Sequence, residues 1–290
     1  MQSLDTRHAG HEPQPGRSTR AGKSRPRPTF SQVLGEVFLT VGVLVLAFAF
    51  YESYWTNVEA GRQQEAANER LDELWQAEGE QQPEGERVNP RGRFTPELGE
   101  AFARMYIPSF GSDFHFAVIE GTDEEELLAG PGRYTASQMP GEAGNFAVAG
   151  HRVGKGAPFN DLGNLRSCDA IVVETFASWN VYRVMPMSVD PTTRQQEAAA
   201  CFTDTQVQRM TGGEYAGVAG RHITTPNHIE MINPVPGATT TEVHAGAEPL
   251  ITLTTCHPQF SAAERMIVHG MLVEQIPKTG GERPAVLEET

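Results

Sequence analysis

An all-β domain closed into a barrel is the fold class this sequence predicts, and three observations carry that expectation. From Pro96 onward the chain is built of short apolar runs punctuated by Gly, Pro and Asp, the signature of strands joined by tight turns. Eight such runs can be counted, and eight short strands closing on themselves hide every sheet edge. The roughly 180 residues that hold them are enough for one domain with a real core.

In order, the candidate strands are Arg104–Ile107, His115–Ile119, Asn145–Gly150, Ala170–Thr175, Asn180–Met187, His228–Ile232, Leu250–Cys256 and Arg265–Glu274. A short helix is expected over Asp123–Leu128, where acidic residues at its start favour the helix dipole. The stretch Thr192 to Thr225 has few apolar residues in order and reads as an inserted surface loop.

The N-terminal third has a different composition. Residues 1–32 hold Arg7, Arg17, Arg20, Lys23, Arg25 and Arg27 against Asp5 and Glu12, with many Pro and Gly, and cannot bury a core. Residues 33–51 are almost wholly apolar, and about 19 residues suffice to cross a hydrocarbon layer of about 30 Å. The basic flank predicts a cytoplasmic N-terminus, with the rest of the chain outside. A cleaved leader is the competing reading, weakened by a poor cleavage site around Ala47-Phe-Ala49. Residues 52–98 are rich in Gln, Glu and Ala, then Pro and Gly, and read as a partly helical stalk. The folded domain is expected over 99–277, with 278–290 as a tail.

The chain carries a net charge of −14, and setting aside the basic tail leaves −18, which excludes nucleic acid as a partner. Of three cysteines, Cys168 and Cys201 can form a disulfide in an oxidising exterior or can be small buried hydrophobes. The third has company that suggests chemistry. Leu250-Ile-Thr-Leu-Thr-Thr-Cys256 ends on a thiol, and Arg265 opens the next apolar run nine residues later. Upstream, Asn145-Phe-Ala-Val-Ala-Gly150 ends at His151 and Arg152. A Cys, a His and an Arg at strand ends suit thiol acyl transfer: nucleophile, general acid and base, and a cation whose charge persists at any working pH. Arg152 competes for the cationic role, and Arg265 could instead pair with Glu264. A papain-type protease is disfavoured, because there the cysteine opens a helix and precedes the histidine. The remaining histidines lack ligand spacing and the run Asp123-Glu-Glu-Glu126 lacks an EF-hand pattern, so neither a metal nor a cofactor is expected.

These motifs, in this order, resemble the sortases, cysteine transpeptidases that attach secreted proteins to the cell wall of Gram-positive bacteria. The resemblance runs from Met105 to Ile276 and includes Ile107-Pro108, Gly121 to Tyr134 with its Gly130-Pro-Gly-Arg-Tyr134 turn, Gly141 to His151, Ala157-Pro-Phe-Asn-Asp-Leu162, Thr252-Leu-Thr-Thr-Cys256 and Arg265. Its wording is most similar to class E, the actinobacterial housekeeping group. The resemblance implies an eight-stranded sortase-type β-barrel with Cys256 as nucleophile, His151 as general acid and base, and Arg265 orienting substrate or stabilising the oxyanion. Tyr134 and Thr255 would line the substrate groove, Tyr134 being associated with accepting Ala in place of Pro in an LAxTG-like signal. Arg133 departs from the usual Gly-Pro-Gly-His-Tyr wording, and Tyr134 could equally be a barrel tyrosine with a hydrogen-bonded hydroxyl. The implied partners are secreted proteins bearing a C-terminal sorting signal, the amine of a peptidoglycan precursor (lipid II), and the membrane. Two alternatives keep the fold: a pilin-polymerising enzyme with a lysine acceptor, or a silent barrel that only binds. The first usually carries an aromatic Asp-Pro plug, which Arg91-Gly-Arg-Phe-Thr-Pro-Glu97 does not show.

Overall fold

The computed structural model describes residues 29–81, 95–278 and 283–289. Most of the expected basic tail, the end of the expected stalk and part of the C-terminal tail lie outside those residues.

One β-sheet organises the domain. Its strands are β1 (Ala101–Tyr106), β2 (His115–Glu120), β3 (Gly132–Arg133), β4 (Gly144–Ala149), β5 (Ala170–Glu174), β6 (Ser178–Val184), β7 (Arg221–Thr224), β8 (Pro249–His257) and β9 (Glu264–Pro277). They pair in the order β6-β5-β1-β2-β3-β4-β8-β9, and β6 pairs back onto β9, so eight strands close a barrel while β7 lies along one half of β9. The 14-residue β9 makes this possible. Its first half pairs with β8 and β7, and its second half pairs with β6, with a register shift between Val181 and Tyr182. Inside, Met105, Ile107, Phe146, Val148, Phe159, Ile171, Tyr182, Ile251, Leu253 and Val268 are fully buried in one cluster. Large apolar and β-branched side chains on the inward face of each strand supply most of the stabilising burial.

Three expectations are corrected. The expected strand at His228–Ile232 is a 3-10 helix over Ile229–Ile232, and Ile229 is 72% exposed. The strand that pairs there is β7, which stops ahead of Pro226, a residue with no N–H to continue a ladder. The eighth barrel strand is the two-residue β3, too short to show any periodicity. The segment read as an inserted loop contains two helices besides β7, α3 (Pro191–Ala199) and α4 (Asp204–Thr211), the helix expected near Asp123 being α2 (Glu124–Ala129). The Asp190 side chain caps α3 by accepting from Thr193 N, with Pro191 in the first turn, and Thr203 with Gln206 forms a capping box on α4. Both helices bury a second apolar cluster, with Ala198, Phe202, Met210, Tyr215 and Val218 against Leu250 and Met271 on the outer face of β8 and β9. Buried Arg194 stitches the layer together, its guanidinium donating to the carbonyls of Met210 (2.8 Å), Tyr215 (3.1 Å) and Val218 (2.8 Å). Cys168 and Cys201 are joined by a disulfide that ties the end of this layer to the loop before β5.

N-terminal to the barrel is α1 (Phe30–Gln81). It holds an apolar stretch long enough to cross a membrane, with every side chain from Phe30 to Phe50 exposed. Its later part does not stand clear of the barrel as a spacer would. Ala67 and Leu71 are buried with Ala101, Ala117 and Ile119 of β1 and β2, with Trp75 packed alongside. Arg104 donates to Asn68 Oδ1 at 3.0 Å and pairs with Asp72 at 2.8 Å.

Candidate active site

Three neighbouring strands bring the chemistry-bearing residues together. β8 and β9 are antiparallel, and Cys256 lies directly opposite Arg265. Directly opposed residues share a face of the sheet, so Cys256 and Arg265 project from the same face. On the other flank, β4 runs parallel to β8 with Ala149 opposite Thr254. Two further bonds extend that ladder: Gly150 N donates to Thr254 O at 3.0 Å, and Thr255 Oγ1 donates to Gly150 O at 2.8 Å. His151 and Cys256 follow next along that line, just past the last paired position of β4. The cysteine therefore sits on the central strand, between the histidine and the arginine.

Side chains alternate along a strand, and this separates two sets on β8. Ile251, Leu253 and Thr255 are buried on one side; Thr252, Thr254 and Cys256 share the other, outer face with Leu250. Tyr134 lies on that outer face, its hydroxyl 3.0 Å from Thr254 Oγ1, two residues from Cys256. Thr255 faces away from the thiol, is 2% exposed, and spends its hydroxyl fixing the end of β4 to β8. Arg133 also points away from the groove. It is buried against Glu120 through two hydrogen bonds of 2.6 and 2.7 Å and donates to Ser137 O, so its departure from the usual wording falls behind the Tyr134 turn.

The electrostatics differ among the three. His151 is half-buried, its Nε2 has no partner among the described residues, and burial pushes its imidazole down from the usual 6.5. A neutral ring able to accept a proton is thereby favoured over a standing imidazolium. The Arg265 guanidinium donates to the carbonyls of Ala262 and Glu264, both at 3.1 Å, and pairs with no carboxylate among the described residues. Arg152, the rival cation, is turned to another task. It donates to the Cys256 carbonyl at 3.2 Å and lies 2.5 Å from His257 Nδ1, holding the backbone behind the thiol. The described residues contain no cluster of three His, Cys, Asp or Glu arranged for a metal.

Farther along the outer face lies a polar patch that sequence reasoning did not find. His269, fully buried and opposite Thr252, has Nδ1 2.8 Å from Thr252 Oγ1, which donates to Asn145 Oδ1 at 2.8 Å. Burial, reinforced by His222 with its ring centroid 5.4 Å away, pushes His269 down to about 3. The alternation of β9 places Arg265 and His269 on one face, but only the known β7 pairing reveals His222 beside them.

The sortase domain family matches residues 105–273. Sortase SrtE1 of Streptomyces coelicolor is 32% identical over 280 residues, 93% of this chain, and the chain spans 65% of that relative's length. Sortase SrtE2 of the same organism is 26% identical over 282 residues, 94% of each. The solved structure of SrtF sortase from Corynebacterium diphtheriae matches with a TM-score of 0.68 and 62% identity, covering 71% of this chain and 100% of that one. Both Streptomyces relatives bear the class E name to which the motif wording around Tyr134 and Cys256 is similar. With the family's domain spanning more than half of its length and an eight-stranded barrel beneath the motifs, this chain belongs to the sortase family.

Proposed function

We propose that the protein is a membrane-anchored cysteine transpeptidase that cleaves a C-terminal sorting signal between Thr and Gly and passes the acyl group to an amine. The single observation that supports this reading is the register that sets Cys256 opposite Arg265, on a strand flanked by the one whose end His151 follows. The neutral His151 takes the proton of the Cys256 thiol. The sulfur attacks the threonine carbonyl, forming a C–S bond, and the oxyanion that develops is stabilised by Arg265 with a nearby backbone N–H. The C–N bond then breaks, and His151 protonates the departing amine of the glycine. A thioester remains on Cys256. The incoming amine attacks it, gives its proton to His151, and the thiolate leaves. Arg265 suits the task because no carboxylate among the described residues competes for its charge.

The apolar part of α1 supports a single-pass anchor with the N-terminus cytoplasmic and the barrel outside. The substrates are then secreted proteins with LAxTG- or LPxTG-like signals, and the acceptor is the amine of a peptidoglycan precursor such as lipid II. In this reading Tyr134, whose hydroxyl meets Thr254 two residues from Cys256, reads the second position of the signal. The test pairs quenched LAxTG and LPxTG peptides, with and without an amine, using the full chain and Cys256→Ala. Cleavage at Thr–Gly that is lost in the variant, with ligated product when amine is present, supports the reading. Absence of cleavage and of any thioester with either peptide overturns it in favour of a barrel that only binds.

A further inference from the structure

We infer that the second half of α1 is part of the catalytic unit: through Gln64 it acts as a positioning element for His151. The inference rests on the transpeptidase reading and concerns the loop that follows the histidine. His151 O accepts from Phe159 N at 3.0 Å, which closes residues 151–159 into a compact loop. Within it, Gly154, Lys155, Gly156 and Ala157 have φ values of 65, 53, 74 and 37°. Four successive left-handed residues, two of them carrying a Cβ, form a conformation the chain does not hold unaided; it persists only where the surroundings over-determine it.

The surroundings are supplied largely by α1. Gln64 Nε2 donates to Lys155 O at 3.2 Å, and Asn57 Oδ1 accepts from Gly156 N at 3.4 Å. The fit is close: a Cβ on Gly156 would stand 2.4 Å from Gln64 Nε2. Gln64 is only 8% exposed, between Ala60 at 0% and Ala67 at 3% one turn to either side. Two contacts from elsewhere complete the clamp, an ion pair of Lys155 with Glu124 and a 2.9 Å bond from Gln259 to Asn160. A polar glutamine buried where the helix meets the loop is expected if the contact sets geometry, since an apolar side chain would fill the space equally well. The helix meets the barrel independently at its far end, through Leu71, Asp72 and Trp75 on β1 and β2. The two contacts can therefore be separated by substitution.

The test uses the full chain in detergent, with Gln64→Glu and, as a control at the far contact, Asp72→Asn. Gln64→Glu keeps the size but removes the N–H donor and sets a carboxylate against the Lys155 carbonyl. It should lower kcat about tenfold with KM little changed, part of the roughly hundredfold that a misplacement near 1 Å can cost. Loosening the loop admits water to the ring, so the NMR titration midpoint of His151 should move up toward 6.5 in Gln64→Glu. Cys256 and Arg265 on the neighbouring strands and Arg152 beside it in sequence are unchanged in both variants, and Gln64→Met, which removes the donor without adding the anion of Gln64→Glu, must move the midpoint in the same direction for the movement to report the loop. Asp72→Asn should leave kcat and the midpoint as they are. An unmoved His151 midpoint in Gln64→Glu overturns the inference, as does a fall in thermal stability alone. The NMR arm needs no turnover: an inactive wild type would sink the transpeptidase reading and still leave the positioning contact judged.

Discussion

The two ends of the outer face of β8 and β9 share strands, register and sheet face, yet they serve opposite purposes. At one end Leu250 lies opposite Met271, both fully buried under α3 and α4 in an apolar layer. At the other, Cys256 lies opposite Arg265, half-buried, with a neutral-leaning His151 just past the end of the adjoining strand. Between them the buried pair Thr252 and His269 marks the change from packing to chemistry. A rigid, covered end fixes the ladder, and the ladder in turn fixes the geometry of the uncovered end. Stability and activity should therefore separate along a single pair of strands.

Breaking each end in turn gives the largest contrast. Cys256→Ala should lower turnover by more than about a thousandfold and leave the denaturation midpoint in place. Leu250→Ala should do the reverse, costing about 2–5 kcal/mol of stability while the folded fraction keeps its kcat; urea titration alongside peptide cleavage checks both. The middle of the ladder sets an acid limit. His269 is held well below its unfolded value of 6.5, at about 3. The unfolded chain therefore takes up a proton that the folded one refuses. The stability this neutral histidine contributes is full above about pH 6.5 and drains away as pH falls toward 3, at about 1.4 kcal/mol per unit. Urea midpoints measured between pH 7 and 4 should fall, and fall less steeply in His269→Asn.

Opening the disulfide of Cys168 and Cys201, separated by 33 residues, should destabilise the covered end by roughly 3–4 kcal/mol from loop entropy. Calorimetry with and without reductant reads this change, and the alkylation rate of Cys256 per folded molecule should stay the same. Tyr134→Phe has the smallest expected effect. It removes one hydroxyl contact to Thr254, worth about 1 kcal/mol, and sharpens the comparison by shifting the ratio of kcat/KM for LAxTG over LPxTG while leaving the covered end intact.

How much of this was legible follows from the physics of each element. The runs around Ile171, Leu253 and Ile267 announce themselves because strands buried among β-branched neighbours need continuous apolar sequence. The thiol, imidazole and guanidinium were legible as strand-end residues, but their adjacency depends on the parallel pairing of β4 with β8, which no local pattern encodes. β3 is two residues long and carries no period at all. The helices α3 and α4 were hidden by polar composition, although Asp190-Pro191 and the Thr203 to Gln206 spacing are helix starts that could have found them. The docking of α1 was hidden for a related reason: its buried stripe is Ala60, Gln64, Ala67 and Leu71, too small and polar to look like a core face.

Intact mass measurement tests most directly whether the ladder presents Cys256 as an acyl-accepting nucleophile. The full chain is incubated with LAxTG peptide in the absence of amine, digested and mapped. A thioester adduct confined to Cys256 is expected, formed by the wild type, absent from Cys256→Ala and discharged by added amine. An adduct on another residue, or none while the same chain cleaves the peptide, would contradict it.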